Sequence, residues 1–225
     1  EAAAHYVPNA ADNPLYDFRS GGLIRWRAEL LAFLMHPRAD LVNKIRRVKN
    51  AIGLRGSFVG VHVRHGDSCR HADLSSYRPL CRSVGDYMEV AKEVCELYEM
   101  SRVFLATDDA SAVEYAKAAY PELDIVHINM DRRELESDWF IEYRMQAARE
   151  SGANVDVELL ADASIIDLLL LREARAFVGE FSGHYSRLAL EMMVAYHGYV
   201  PPFASIDAPY GLNGAMPPYA GPQIY

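Results

Sequence analysis

Apolar residues recur at helical spacing near the start of the chain. In residues 23–35 they stand three or four positions apart, which predicts a helix that buries one face. Pro37 ends this pattern, and a second, basic helix is predicted from there to about Asn50, with Gly53 as its stop signal. Residues 1–20 are rich in Ala, Pro, Asn and Asp and show no period, so an irregular lead-in is predicted there.

Farther along, short apolar runs alternate with longer segments of helical period. Four strands are predicted, at 57–63, 102–106, 124–128 and 176–179, the last of these being the final strand. Helices are predicted at about 84–98, 110–119, 157–173 and 184–197. This alternation is typical of parallel strands joined by crossover helices. Residues 21–225 are therefore predicted to form one α/β domain, a Rossmann-like open parallel sheet with helices on both faces. In such sheets ligands bind just beyond the carboxyl ends of the strands.

Composition narrows the class of protein without changing this outline. The 225 residues are 51% apolar and 24% charged, as in ordinary globular domains. A net charge of −8 argues against a broad nucleic-acid interface but allows a single nucleotide, which needs one or two local cations. No apolar run reaches the length of a membrane span, and neither an initiator Met nor a signal peptide opens the chain. We therefore expect a fragment of a longer protein, with any membrane anchor outside this chain.

A charged residue stands at the mouth of the first predicted strand, which runs into His62-Val63-Arg64-His65-Gly66. The planar guanidinium of Arg64 is suited to two phosphate oxygens, and Gly66 lets the backbone turn close to a ligand. The alternative is that a neighbouring carboxylate at the sheet edge satisfies Arg64.

Polar residues also follow the second and fourth predicted strands. Thr107 or Asp108 either caps the next helix or, with Asp109, places oxygens in the same crevice. The turn at 182–184 opens the last helix, where free N–H groups favour a phosphate. The other explanation for this turn is an ordinary helix start capped by Ser182. Upstream, Asp167 interrupts the apolar run 165–171 and is either a surface residue or a carboxylate that accepts the N–H donors of a guanine edge.

The cysteines Cys69, Cys81 and Cys95 do not have the spacing of a zinc site. Cys69 and Cys81 flank a turn-rich insert. They either form a disulfide or remain, like Cys95, reduced and partly buried.

Three blocks of the chain, residues 60–64, 104–109 and 167–189, resemble in order and spacing the signature blocks of the α1,6-fucosyltransferase family. That family includes the core N-glycan and nodulation fucosyltransferases. The resemblance extends over about residues 23–225. It implies a GT-B glycosyltransferase, of which this chain is the C-terminal, Rossmann-like half that binds GDP-β-L-fucose.

Carried over position by position, the resemblance assigns residues to the donor nucleotide. Arg64 holds the β-phosphate with His62 beside it, Asp167 binds guanine, and the turn at 182–184 lies at the pyrophosphate. The expected donor-binding set is His62, Arg64, His65, Thr107, Asp108, Asp109, Asp167, Ser182, Gly183 and His184. Members of the family work without a metal, and this sequence contains no Asp-x-Asp, so neither a metal site nor a cofactor is expected beside the donor substrate.

The sequence departs from the family pattern at four positions. The family's second arginine is His65, and the lysine after the motif aspartate is Ser68. The serine after the equivalent of Ser182 is Gly183. The fourth departure concerns the family's proposed catalytic base, a glutamate that aligns near Ala72.

The expected catalytic residues follow from this alignment. Arg64 stabilises the charge on the leaving phosphate, and Asp73, or as a second candidate Asp67, accepts the proton of the acceptor hydroxyl. The expected reaction is metal-independent transfer of fucose to a glycan or glycoprotein with inversion at C1. The alternatives are a peptide O-fucosyltransferase, another GDP-sugar transferase, or a non-catalytic GDP-sugar or glycan-binding module. No nucleic-acid partner is expected, and the family's eukaryotic location is the Golgi lumen or secretory pathway.

Overall fold

The computed structural model contains a six-stranded sheet with helices on both faces. It describes residues 22–66, 69, 81–130, 146, 150, 157–208, 210 and 223–224. The strands are β1 (Val59–Val63), β2 (Arg102–Thr107), β3 (Asp124–Val126), β4 (Ala176–Gly179), β5 (Phe203–Ser205) and β6 (Gln223–Ile224). The helices are α1 (Gly22–Leu34), α2 (Ala39–Ala51), α3 (Val84–Leu97), α4 (Ala110–Ala119), α5 (Val157–Leu171) and α6 (His184–His197). No described helix combines the length and the hydropathy that crossing a lipid bilayer requires.

The strand order is β3-β2-β1-β4-β5-β6. The first five strands run parallel, and β6 pairs antiparallel with β5. The chain therefore builds the sheet outward from β1 in one direction and then, from β4 onward, in the other. This confirms the predicted doubly wound architecture and places the reversal of strand order between β1 and β4, where ligands of such sheets bind.

The four predicted strands are all present, with small shifts at their ends. The expectation that 176–179 is the final strand was wrong, because β5 and β6 follow it. β5 has three residues directly after Pro201 and Pro202, and β6 has two. Strands this short carry too few residues for an alternating pattern, so only tertiary pairing defines them.

Alternating residues of the strands point to opposite faces of the sheet. In β2, Val103 and Leu105 pack against α3 and α4, whereas Phe104 and Ala106 pack against α1, α2, α5 and α6. Each face therefore has its own apolar core. Because the strands are covered on both sides, a ligand reaches the sheet at its edges and ends.

A glycine in the central strand tests this packing. A Cβ on Gly60 would lie 3.0 Å from the Ala174 Cβ and 3.0 Å from the Leu171 Cδ2. We expect Gly60→Ala to lower the free energy of unfolding by about 1–3 kcal/mol through overpacking, measured by urea denaturation. The control is Gly85→Ala in the first turn of α3, where alanine leaves stability unchanged or raises it by up to about 1 kcal/mol. Equal stability of the two variants would contradict this account.

Candidate functional site

The carboxyl ends of β1, β2 and β4 meet at one edge of the sheet. Val63 of β1 stands opposite Thr107 of β2, and Val61 stands opposite Val178 of β4. The segments that leave these strands are residues 64–66, 108–109 and 180–183, and they therefore lie side by side. The space that these three segments border is the crevice. Apart from Asp167, the predicted donor-binding residues lie in these segments or next to them, as the sequence predicted.

Arg64 forms an ion pair with Asp108, the residue that follows β2. The second oxygen of this carboxylate, Oδ1, accepts a hydrogen bond from the backbone N–H of His65 at 2.9 Å. A side chain at position 66 would overlap the Asp108 carboxylate, so Gly66 is required for this close approach. The second interpretation of Arg64, a carboxylate partner at the sheet edge, is thus confirmed. Its side chain is still 37% exposed, so a ligand can reach the guanidinium.

His65 lies between two acceptors. Its Nδ1 is 3.0 Å from Asp109 Oδ2, and its Nε2 is 2.6 Å from the carbonyl oxygen of Arg82. A carboxylate and a carbonyl both accept hydrogen bonds, so the ring satisfies both contacts only when each nitrogen carries a proton. These two contacts hold the His65 ring between the segment after β2 and the segment before α3.

Asp109 also begins the next helix. It is the N-cap of α4, accepting hydrogen bonds from the backbone N–H and the hydroxyl of Ser111 at 2.8 and 2.7 Å. Predicting Thr107 or Asp108 as the cap was therefore wrong: Asp108 is held by Arg64, and the Thr107 hydroxyl accepts from Asp109 N at 3.2 Å. Burial acts to raise the pKa of Asp109, but hydrogen bonds from Ser111 and His65 outweigh it and leave the pKa below its usual value.

His62, the last but one residue of β1, is buried against α6. Its Nδ1 is 2.8 Å from the Ser186 hydroxyl oxygen, and its ring lies 4.5 Å from that of Tyr185, centroid to centroid. Burial, followed by the charge of Arg64, lowers the pKa of His62 to about 3. The imidazole is therefore neutral near pH 7, and the positive charge at this end of β1 belongs to Arg64.

The turn before α6 differs from the prediction in one respect. The N-cap of α6 is Gly183, without a side-chain cap, so Ser182 does not cap this helix. The backbone N–H groups of Phe181 and Ser182 instead donate to the Asp207 carboxylate, at 2.8 and 3.2 Å. Residues 184–186 form the first turn of α6, whose N–H groups have no partner inside the helix and still favour an anion.

Asp167 lies on α5 and is 7% exposed, which excludes the interpretation of this residue as a surface carboxylate. The charge of Asp167 acts on Tyr185, which lies in the first turn of α6 beside the crevice. Burial, followed by the Asp167 charge, raises the pKa of the Tyr185 phenol. The Tyr185 hydroxyl donates to the Ser164 carbonyl oxygen at 2.6 Å, which ties α6 to the helix that carries Asp167.

Two further carboxylates at this edge were missed by sequence reasoning. Glu180 follows β4 directly and is 5% exposed, and Asp207 follows β5 and is 6% exposed. A charge immediately after the apolar run 176–179 was a usable signal for Glu180. Asp207 carried no such signal, because the strand before it was not recognised.

The Cys69–Cys81 pair, left open by the sequence, forms a disulfide with its Cα atoms 5.0 Å apart, whereas Cys95 is a buried thiol. The bridge holds the two ends of the β1–α3 connection together, next to His65. Cys69 N donates to the His65 carbonyl oxygen at 2.7 Å. His65 and the two sulfurs lie within 4.8 Å of one another, but a disulfide does not present the thiolates that a metal would need.

A cavity of about 430 Å³ adjoins this bridge. Its lining includes His65, Gly66, Cys69, Asp109, Ser111 and Glu114. The disulfide, the His65 contacts and the cap of α4 thus form one wall of the crevice. Both candidate bases, Asp67 and Asp73, lie outside the described residues.

Comparison with known proteins identifies related chains. A family model described as the α-(1,6)-fucosyltransferase N- and catalytic domains matches residues 4–210. An α-(1,6)-fucosyltransferase of Drosophila melanogaster is 26% identical in an alignment of length 199 that covers 85% of this chain and 29% of that protein. The chain thus spans less than a third of the length of this curated relative.

Solved structures of POFUT1 and of NodZ also match this chain. POFUT1 in complex with GDP-fucose has a TM-score of 0.51 and 14% identity, over 76% of this chain and 47% of that chain. The NodZ α-1,6-fucosyltransferase soaked with GDP-fucose has a TM-score of 0.44 and 17% identity, over 78% of this chain and 47% of that chain. At this level of identity the POFUT1 match shows a shared fold.

The disulfide can be tested through stability. A crosslink across 12 positions constrains the unfolded chain, so reduction should lower the free energy of unfolding by about 2–4 kcal/mol. We expect the urea midpoint of the wild-type chain to fall on reduction and that of Cys69→Ser/Cys81→Ser to be low and insensitive to reductant. Cys95→Ala, which keeps the bridge, should retain the response. A wild-type midpoint that reductant does not move would show that the bridge is absent or without effect.

Proposed function

Because the chain belongs to the α-(1,6)-fucosyltransferase family, we propose that it binds GDP-β-L-fucose at the carboxyl edge of its sheet and supplies the donor site for fucose transfer. The observation that carries this proposal is the convergence of Arg64, the Asp108 carboxylate that orients it, and the first turn of α6 at the reversal of strand order. A guanidinium and a helix N-terminus are the groups that bind a diphosphate.

In this proposal the phosphates of the nucleotide lie between Arg64 and the 182–184 turn, and its guanine lies beside Asp167. Asp167 suits guanine because a carboxylate accepts two N–H donors side by side. The stack of His62 on Tyr185 supports this arrangement, since it fixes the start of α6 relative to β1. Thr107, Asp108 and Asp109 complete the wall on the β2 side.

The proposed reaction is a single displacement with inversion at fucose C1. Negative charge grows on the β-phosphate as the bond to fucose breaks, and Arg64 stabilises that charge more in the transition state than in the ground state. Asp73, with Asp67 as the second candidate, accepts the proton of the acceptor hydroxyl. Arg64 and the helix N-terminus supply the positive charge, and transfer is proposed to be independent of a metal.

The acceptor is proposed to be a glycan hydroxyl, with the α1,6 linkage of the family. The fold shared with POFUT1 does not distinguish glycan from peptide acceptors, since fold and acceptor choice vary separately. A transfer assay in which glycan and peptide acceptors compete for the full-length enzyme distinguishes the two acceptor classes. The Cys69–Cys81 disulfide supports a secretory location, because such bridges persist in oxidising compartments.

Calorimetric titration with GDP, GDP-fucose, UDP and NAD tests the specificity of the site for the nucleotide base and for the sugar. We expect binding of the two guanine nucleotides and none of NAD. Asp167→Asn removes the charge from the guanine contact and should weaken GDP about tenfold to a hundredfold, while UDP binding stays weak. Asp162→Asn, the same change five residues earlier on α5, serves as the control. Unchanged GDP affinity in Asp167→Asn would contradict the assignment to guanine.

Arg64→Ala tests the phosphate role. In the full-length enzyme we expect the transfer rate to fall about a hundred- to thousandfold, a loss of roughly 3–4 kcal/mol of transition-state stabilisation, with the fold intact. The exposed Arg38→Ala is the matched control and should retain activity. Running the assay with a chelator present tests metal independence in the same measurement. Normal turnover by Arg64→Ala would end the proposal.

A further inference from the structure

Glu180 is a buried carboxyl group at the carboxyl edge of the sheet, where β4 ends between β1 and β5. It leaves the end of β4 and is 5% exposed. Four charged or titratable groups influence it: Asp207 after β5, Tyr87 of α3, Arg82 before α3, and Asp108 after β2. Two of these four are carboxylates, so Glu180 is the third carboxyl group at this end of the sheet.

Asp207 and Asp108 each accept hydrogen bonds from more than one donor. Asp207 accepts from Phe181 N at 2.8 Å, from Ser182 N at 3.2 Å and from the Ser205 hydroxyl at 3.2 Å. Asp108 accepts from the Arg64 guanidinium and from His65 N. Donors to a carboxylate favour its ionised form. Glu180 has the Tyr87 hydroxyl and the Arg82 charge beside it, but burial and the Asp207 charge act in the opposite direction and are the larger effects.

The pKa of Glu180 is shifted in the direction that this arrangement predicts. Burial, followed by the Asp207 charge, raises the pKa of Glu180 to about 7, although Tyr87 and Arg82 oppose the shift. Near neutral pH the side chain is therefore divided between its two forms. Each additional negative charge brought to the crevice favours the protonated form further.

We propose that Glu180 is protonated when GDP-fucose binds, so that uptake of this proton couples donor affinity to pH. This inference rests on the proposed function, since it assumes that the diphosphate lies beside Arg64 and Asp108. With Glu180 ionised, the crevice carries a further negative charge that opposes a diphosphate. With Glu180 neutral, this opposing charge is removed and the Arg82 charge is less compensated, so the anion is admitted.

The sign of the pH dependence follows from linkage. Bound diphosphate raises the proton affinity of Glu180, so donor binding is strongest below the pKa of Glu180 and weakens as pH rises above about 7. The dissociation constant should increase by up to about tenfold per pH unit in that range, with up to about one proton taken up per donor bound. GDP-fucose is the probe, because the terminal phosphate of GDP itself titrates near neutral pH.

The experiment is calorimetric titration of GDP-fucose at several pH values between about 6 and 8.5, in two buffers that differ in ionisation enthalpy. For the wild-type chain we expect the apparent binding enthalpy to depend on the buffer near pH 7, which reports proton uptake. This measurement needs no variant, so it remains decisive even where a substitution impairs folding.

Glu180→Gln identifies the group. Glutamine keeps the size of the side chain and cannot ionise, so its pH profile should lose the weakening above pH 7 that the wild type shows. The matched control is Glu93→Gln, which removes the same charge from the exposed surface of α3 and should retain the wild-type profile. The comparison also separates Glu180 from His65, which is present in both variants.

The outcomes distinguish this inference from the proposed function. If GDP-fucose binds with no buffer-dependent proton uptake, or with the same pH profile in Glu180→Gln and wild type, the role of Glu180 is overturned while the donor site stands. If GDP-fucose does not bind at any pH, the proposed function fails and the inference fails with it.

Discussion

The ion pair between Arg64 and Asp108 is the interaction on which the crevice depends. β1 is buried along its whole length and passes directly into a cation. An arginine so close to the core needs a carboxylate within reach, and parallel pairing provides it, because Val63 opposite Thr107 brings Asp108 next to Arg64. The same carboxylate holds the backbone of His65, and Gly66 leaves room for it. Three successive residues after β1 are thus positioned by one side chain after β2.

Much of this arrangement could be predicted from local pattern. The alternation of strands and helices fixes a parallel sheet, and the ends of parallel strands meet, so the neighbourhood of Arg64, Asp108 and the 182–184 turn followed from order along the chain. The predictions that were wrong or missing concern residues whose roles depend on tertiary contacts. Asp109 rather than Asp108 became the cap because Arg64 occupies Asp108, and Asp207 entered the site on a strand of three residues that has no pattern of its own.

The changes from the family pattern are physically linked. An arginine has a long stem and several donors, so it can reach acceptors on its own. An imidazole is short, so the acceptors must be brought to His65. The Asp109 cap comes from the α4 side, and the Arg82 carbonyl comes from the residue that follows Cys81. The Cys69–Cys81 bridge fixes the distance between the strand exit and that carbonyl. The Cys69–Cys81 crosslink thus helps to position one of the two acceptors that contact histidine at position 65.

In the proposed donor site, the pairing of Arg64 with Asp108 has opposite effects on binding and on catalysis. The carboxylate offsets part of the charge that attracts the donor diphosphate, which weakens ground-state binding. It also holds the guanidinium in one orientation, so its positive charge is already in place before negative charge develops. A preorganised donor gains most when the phosphate charge increases, as it does when fucose departs. The proposed reaction requires release of a nucleoside diphosphate after each transfer. For that reaction, moderate affinity with a fixed guanidinium serves turnover better than an unpaired arginine that binds substrate and product equally tightly.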